Sequence, residues 1–263
     1  MQIVTITYKD DFNLLLLQLQ SMDKFLEPCT VNVVINETSD LNIYKRQIKS
    51  NVHNIKIWSQ HDILQRPVPN QTSGDGWCSQ QLLKMLIPID DNYISLDCKD
   101  MFIKPTTLSM LTRRQRRLRV DPSKTHPWIE FYNIMFKHLW RYYKKRIKYK
   151  NLDNIQTPRV IKKSVVNKIP DIWGSNKKFI KWWGQFGMPS EFIMYDCIQQ
   201  LEQKDQMNTF EKHEIVAVWY EKDIDFYAIK DNTFMLKIHR RVYNNPKTQK
   251  IVTDWIKKLL TTP

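Results

Sequence analysis

Two rhythms of hydrophobic and polar residues take turns along this chain. Gln2-Ile3-Val4-Thr5-Ile6-Thr7, Val31-Asn32-Val33-Val34-Ile35, Ile55-Lys56-Ile57-Trp58 and Tyr93-Ile94-Ser95-Leu96 are short runs of β-formers and predict four strands. Between the first two, Leu14, Leu17, Met22 and Phe25 recur at helical spacings, so residues 11–26 predict a helix that ends before Pro28. Gly74 to Gly76 predicts a turn into a helix Trp77–Ile87, closed by Pro88. Strand and helix alternating over about the first hundred residues predict parallel strands with helices on both faces of the sheet.

After this, residues 111–150 read as an insertion that is helical after Pro127. Thr157-Pro158-Arg159-Val160 marks the return, followed by a helical Lys162–Lys168, an aromatic segment Trp173–Phe186 and a helix Pro189–Leu201. Ile215–Tyr220 and Phe226–Ile229 are strand-like, and Phe234 to Arg240 follows them. A last amphipathic helix starts near Pro246, with Ile251, Trp255 and Leu259 expected on one face. No internal repeat and no flexible linker interrupts the pattern, which describes one domain with an insertion.

Composition narrows the class. With 263 residues, 42% of them apolar and only five glycines, the chain has a globular composition and length for an ample core. Cys29, Cys78, Cys98 and Cys197 show neither a CxxC pair nor zinc-ligand spacing, so no disulfide framework is expected. The first strand begins at once, without a signal-peptide pattern, and Leu14–Leu17 is too short to span a membrane. A soluble, cytoplasmic protein is the expectation.

Charge then singles out the insertion. Arg113 to Lys150 holds thirteen Lys or Arg against Asp121 and Glu130, a net +11 of the chain's +14. The excess falls in two clusters, one at Arg113, Arg114, Arg116, Arg117 and Arg119, the other around Arg141, Lys144, Lys145 and Arg146. Charge concentrated in this way attracts polyanions. The aromatics interleaved in the second cluster suit phosphate contact with base stacking, or a basic amphipathic helix on an anionic membrane. A solvated helix whose aromatics pack inward fits the same residues.

Several chemistries are excluded. Thr7-Tyr8-Lys9-Asp10-Asp11 follows the first strand without a glycine, so neither a Walker A loop nor a dinucleotide fingerprint is present, and no GxSxG or HExxH occurs. What stands out is the fourth strand running into Asp97-Cys98-Lys99-Asp100-Met101-Phe102. Ligands of open α/β sheets bind beyond the carboxyl ends of strands, where a carboxylate can hold a cation or orient a substrate.

The ordered blocks resemble nucleotide-sugar glycosyltransferases of the GT-A fold, and more narrowly a family of small glycosyltransferase-like proteins of bacteria and tailed phages. They are Ile3-Val4-Thr5-Ile6-Thr7-Tyr8 with Ser21 and Phe25, Val34-Ile35-Asn36-Glu37, Gly76-Trp77 with Gln80-Gln81-Leu82-Leu83-Lys84, Leu96 to Pro105, Thr157-Pro158, Pro189-Ser190-Glu191-Phe192 with Tyr195, and His239-Arg240. The resemblance implies an α/β, Rossmann-like mixed sheet flanked by helices. Residues 1–110 would be the nucleotide-binding half and 151–263 the acceptor half, within one domain.

It also implies roles. Thr7, Tyr8, Asp10, Asn36 and Glu37 would recognise the nucleoside, and Gln80, Lys84, Lys99 and Arg240 the ribose or phosphates. Asp97 would carry catalysis, and Glu191 would be the general base for an acceptor hydroxyl. Asp97, Asp100 and His239 would hold a divalent cation, Mn2+ or Mg2+, on the diphosphate. The chain departs from a DxD motif here. Strand side chains alternate, so Lys99 takes the position of the second carboxylate and its ammonium would stand in for part of the cation's charge. Metal dependence is therefore left open, as is the acceptor: DNA carrying hydroxylated bases, in a host cytoplasm if phage-encoded, or a surface glycan at an anionic membrane. A non-catalytic nucleic-acid-binding α/β protein is the other reading.

Overall fold

The computed structural model describes residues 1–36, 41–65, 76–113, 127–144, 157–186, 189–202, 214–218 and 229–261, without the side chains of 43, 76, 77, 127, 128, 202, 218, 240 and 241. In chain order the first half contains β1 (Gln2–Thr7), α1 (Phe12–Phe25), β2 (Thr30–Ile35), α2 (Leu41–Gln47), β3 (Asn54–Ser59), α3 (Gln60–Leu64), α4 (Gly76–Leu86), β4 (Tyr93–Asp97) and β5 (Asp100–Phe102). There follow α5 (Leu108–Leu111), α6 (Pro127–Tyr143), β6 (Arg159–Ile161), α7 (Lys163–Val166), α8 (Ile169–Trp173), α9 (Asn176–Trp183) and α10 (Glu191–Glu202). The chain closes with β7 (Ile215–Val218), β8 (Met235–Ile238), α11 (Arg240–Tyr243) and α12 (Pro246–Thr261).

The main sheet has the order β3-β2-β1-β4-β6. Its first four strands are parallel, and β6 pairs antiparallel with β4 as an edge. Chain order therefore runs outwards from β1 in both directions, and the switch lies between the carboxyl ends of β1 and β4, where Ile6 is the register partner of Asp97. That crevice is where open α/β sheets bind ligands. A second sheet, β5-β8-β7, leaves the first at once, because β5 starts three residues after β4 ends.

Strand periodicity sorts side chains between two core layers. Val4 and Ile6 of β1 join Tyr93 of β4 in a layer with Leu82 and Leu83 of α4, Met135 and Leu139 of α6, and Met194 and Ile198 of α10. Ile3, Ile94 and Leu96 face the other way, onto Leu15, Leu19 and Met22 of α1. By the same alternation Asp97 continues the face of Tyr93, towards α4 and α10.

The last helix differs in orientation from its sequence reading. Val252 and Ile256 form the buried stripe of α12, while Ile251 is exposed and Trp255 and Leu259 lie at its margins. The stripe sits one residue on from the expected one because Val252 and Ile256 pack into the layer of Leu14, Leu17, Met101 and Val242. The helix of the basic segment, α6, also packs its apolar face, with Phe131, Tyr132, Met135 and Leu139 buried against α10 and the main core. Its outer face carries the exposed Lys137, Trp140 and Arg141, and the exposed Lys144 follows its last residue with a left-handed backbone (φ 54°). No helix among the described residues is long and apolar enough to cross a membrane.

Candidate functional site

The turn between β4 and β5 is built from below by α1. Gln18, fully buried, donates to the carbonyls of Asp97 (2.6 Å) and Asp100 (2.9 Å) and accepts from the Thr5 hydroxyl at 2.7 Å. Ser21 accepts the Phe102 N–H at 3.1 Å. Asp100 completes the turn by accepting the Asp97 N–H at 2.8 Å. A strand that would otherwise end in solvated polar residues is thus pinned at both main-chain ends of the turn.

On this turn Asp97 points up into the crevice, its side chain 33% exposed. One carboxylate oxygen, Oδ1, lies 2.8 Å from Lys84 Nζ, and Oδ2 lies 3.9 Å from Lys237 Nζ. Lys84 comes from α4, is buried, and also binds Glu191 Oε1 at 2.9 Å. Glu191 opens α10 and is itself only 1% exposed. The carboxylate row Asp97-Glu191 therefore has one ammonium between its members, and that ammonium sits 5.1 Å over the Phe192 ring.

Lys237 is the second ammonium. It is the direct cross-strand partner of Asp100 in the β5–β8 pair, 3.4 Å from Asp100 Oδ1. It donates to Thr157 Oγ1 at 2.6 Å, and Thr157 donates in turn to Asp100 Oδ2 at 2.5 Å. Opposite charges directly across a ladder stabilise it, and burial makes the matching obligatory. Behind Lys84, a second buried pair joins Arg159 of β6 to Asp196 of α10, with the guanidinium stacked on Phe192 (5.3 Å) and Tyr195 (5.5 Å).

These surroundings set the protonation states. Burial works against the charged form of Asp97, but Lys84, Lys237 and Lys99 overcome it and hold the carboxyl well below the usual range. For Asp100 and Glu191 burial prevails, against Lys237 and Lys84 respectively, and raises both. Burial also opposes the charge on Lys84, which Asp97 and Glu191 more than restore, so its ammonium is held above the ordinary lysine value.

The remaining sequence candidates fall in two groups. Thr7 ends β1 and Asn36 follows the adjacent β2, both buried, and the Asn36 N–H donates to the Thr7 carbonyl at 3.0 Å. Tyr8 is half-buried and Asp10 exposed just beyond them, and Gln80 stands one helical turn before Lys84. Lys99 is 24% exposed and pairs with Asp11 at 3.6 Å. Arg113 pairs with Glu214 at 2.7 Å, which takes it out of the set of open cations expected in the first basic cluster. Arg141 and Lys144 are exposed. Glu37, Arg114, Arg116, Arg117, Arg119, Lys145 and Arg146 lie outside the described residues, as does the Arg240 side chain.

The metal set expected from the resemblance does not fit. Asp97 presents its oxygens to ammoniums, and Asp100 is fully buried with Oδ2 holding an N–H and a hydroxyl. Among the described residues no three His, Cys, Asp or Glu converge on a common point; His239, half-buried after β8, joins no such group. Sequence reasoning missed Gln18, which hides in a leucine-rich helix, and it missed Lys237 and Arg159. The signal for the last two was a basic residue inside an otherwise apolar strand, a placement that demands a buried partner.

No family model and no curated protein sequence matches this chain. Among solved structures it is similar to a crystal structure of the galactosyltransferase LgtC in complex with donor and acceptor sugar analogs. The likeness has 11% sequence identity and a TM-score of 0.47, over 100% of this chain and 98% of that one.

Proposed function

We propose that the chain is a GT-A-like glycosyltransferase, moving a sugar from a nucleotide donor to an acceptor hydroxyl. The observation that carries this reading is Asp97, an ionised, one-third exposed carboxylate at the switch point of the sheet, held there by two buried ammoniums. A carboxylate of that kind accepts hydrogen bonds from sugar hydroxyls without needing a proton of its own. The strand ends beside it offer Thr7, Tyr8, Asp10 and Asn36 to a nucleoside, with Gln80 and the partly exposed Lys99 turned to ribose and phosphate. Transfer breaks the bond from the sugar's anomeric carbon to the phosphate oxygen and forms one from that carbon to the acceptor oxygen; the acceptor's proton passes to solvent, and the charge left on the phosphate is stabilised by nearby ammoniums.

Glu191 takes a different part from the base that the sequence suggested. Its buried carboxylate is bonded to Lys84, which makes it a positioning residue for that ammonium. The acceptor is proposed to be polyanionic, either DNA with hydroxylated bases or a glycan at an anionic surface, on the strength of the exposed Lys137 and Arg141 on one helix face and the exposed Lys144 just past its end.

The test is a thermal-shift panel of nucleotide sugars on the whole chain, followed by transfer assays on any donor that stabilises it. Asp97→Asn is expected to keep the fold and to lose transfer by about 10²-fold or more. A wild-type rate in that variant removes the assignment.

A further inference from the structure

We infer that this site binds its nucleotide without a divalent cation, because Lys84 and Lys237 hold the place on Asp97 that a metal ion would take; the inference rests on the donor-site reading above. Three observations carry it.

The first is geometric. A Mg2+ or Mn2+ ion stands about 2.0–2.2 Å from its carboxylate oxygens and draws on several oxygens at once. Asp97 Oδ1 already meets Lys84 Nζ at 2.8 Å, and Lys237 Nζ is 3.9 Å from Oδ2. An ion on either oxygen would face two ammoniums at close range.

The second is the second carboxylate. Asp100 cannot turn towards Asp97's outer side, because its Oδ2 closes the β4–β5 turn through the Asp97 N–H and takes the Thr157 hydroxyl, while Oδ1 faces Lys237. Withdrawing it would open the turn and take from the buried Lys237 the nearer of its two carboxylates.

The third is that neither ammonium is a mobile surface group. Lys237 is placed opposite Asp100 by strand register, and Lys84 by a turn of α4 whose carbonyl accepts from the buried Tyr93 hydroxyl. Their side chains are 8% and 4% exposed. The positive charge is part of the fold, present before any ligand arrives.

Wild-type protein is titrated with MnCl2 while free Mn2+ is followed by its electron paramagnetic resonance. In parallel, calorimetry measures UDP, GDP, ADP and TDP binding with chelator and with Mg2+. The expected result is no stoichiometric loss of the Mn2+ signal, and one diphosphate whose affinity is the same in both buffers. Stoichiometric Mn2+ uptake, or an affinity at least about tenfold lower in chelator, overturns the inference. If no diphosphate binds in either buffer, the donor-site reading fails, and the Mn2+ titration still decides whether the ammoniums exclude a metal. As a second arm, Lys237→Met removes the ammonium that lies between Asp97 Oδ2 and Asp100 Oδ1 and leaves those two oxygens without it. It is expected to gain Mn2+ affinity by about tenfold or more over wild type. A folded variant, by circular dichroism, that remains as indifferent to Mn2+ as wild type counts against the inference.

Discussion

Asp100 turns its carboxylate back onto the main chain of Asp97, accepting that residue's N–H at 2.8 Å. This one bond separates the roles of two acids that lie three positions apart. Asp97 is left at the strand end, open to the crevice, and Asp100 becomes a fully buried anchor shared by the turn, Thr157 and Lys237. A pair of carboxylates that reads in sequence like a variant metal motif is thereby split into one outward and one inward group.

The ammonium between Asp97 and Glu191 is expected to be a large contributor to stability. Lys84→Met would take from the buried Glu191 the ammonium it is paired with, and breaking a buried pair in this way costs about 3–5 kcal/mol. Urea denaturation of the variant should show a lower midpoint at an unchanged slope. Adding Glu191→Gln should recover part of the loss, since the stranded charge is then gone. A double variant no more stable than the single one would show that the pair is not energetically coupled.

A second expectation concerns pH. His138 lies on α6 with its ring stacked on Trp173 at 4.8 Å and near Trp182 at 5.2 Å. Burial in this aromatic pocket, with Arg141 adding repulsion, lowers its pKa from 6.5. A histidine with a depressed folded pKa contributes stability that is present above its unfolded pKa and is lost as pH falls through the folded value. Unfolding free energy should therefore decline on going from pH 7.5 to 5.5, and His138→Phe should flatten that decline. The lowered Asp97 carboxyl obeys the same rule in a separate window: its contribution is present above 3.8 and is lost only as the medium becomes strongly acidic. An unchanged slope in the histidine variant would assign the decline to other groups.

The parts of this fold that are legible in sequence are those whose pattern is local. Parallel strands covered on both faces read as near-continuous apolar runs, so β1, β2 and β4 stand out, and Asp97 is found because it ends such a run. The partners of Asp97 are harder. Lys84 is visible as one helix turn after Gln80, but its neighbour Glu191 looks like an ordinary acid at a helix N-terminus. Lys237 acquires its meaning only from the β5–β8 register, 137 positions from Asp100 in the chain. His138 is embedded in a basic run whose charge dominates any reading of the segment, while its ring belongs to the aromatic pocket with Trp173 and Trp182. Long-range pairing, rather than weak local signal, hides these residues.

The last prediction concerns the outer face of α6. Lys137 and Arg141 lie four apart on one side of the helix with the 47% exposed Trp140 beside them, and the exposed Lys144 follows the helix's last residue. The buried side is occupied by Phe131, Tyr132, Met135 and Leu139, so replacing the three cations leaves the packing intact. If this face meets a polyanion, each neutralised phosphate releases counterions, and the logarithm of affinity falls with the logarithm of salt with a slope of roughly −0.9 per contact on duplex DNA. Lys137→Ser, Arg141→Ser and Lys144→Ser together should lower that slope by about two to three and weaken binding at every salt concentration. Arg113→Ser should change it little, since that guanidinium is already matched by Glu214. Anisotropy titrations with duplex DNA, single strands and anionic vesicles across a salt series separate the acceptors. Tighter binding to DNA at equal charge favours a nucleic-acid acceptor, and tighter binding to vesicles a glycan at a membrane surface. Binding to neither, or binding that salt does not change, would show the face to be solvated and the polyanion proposal wrong.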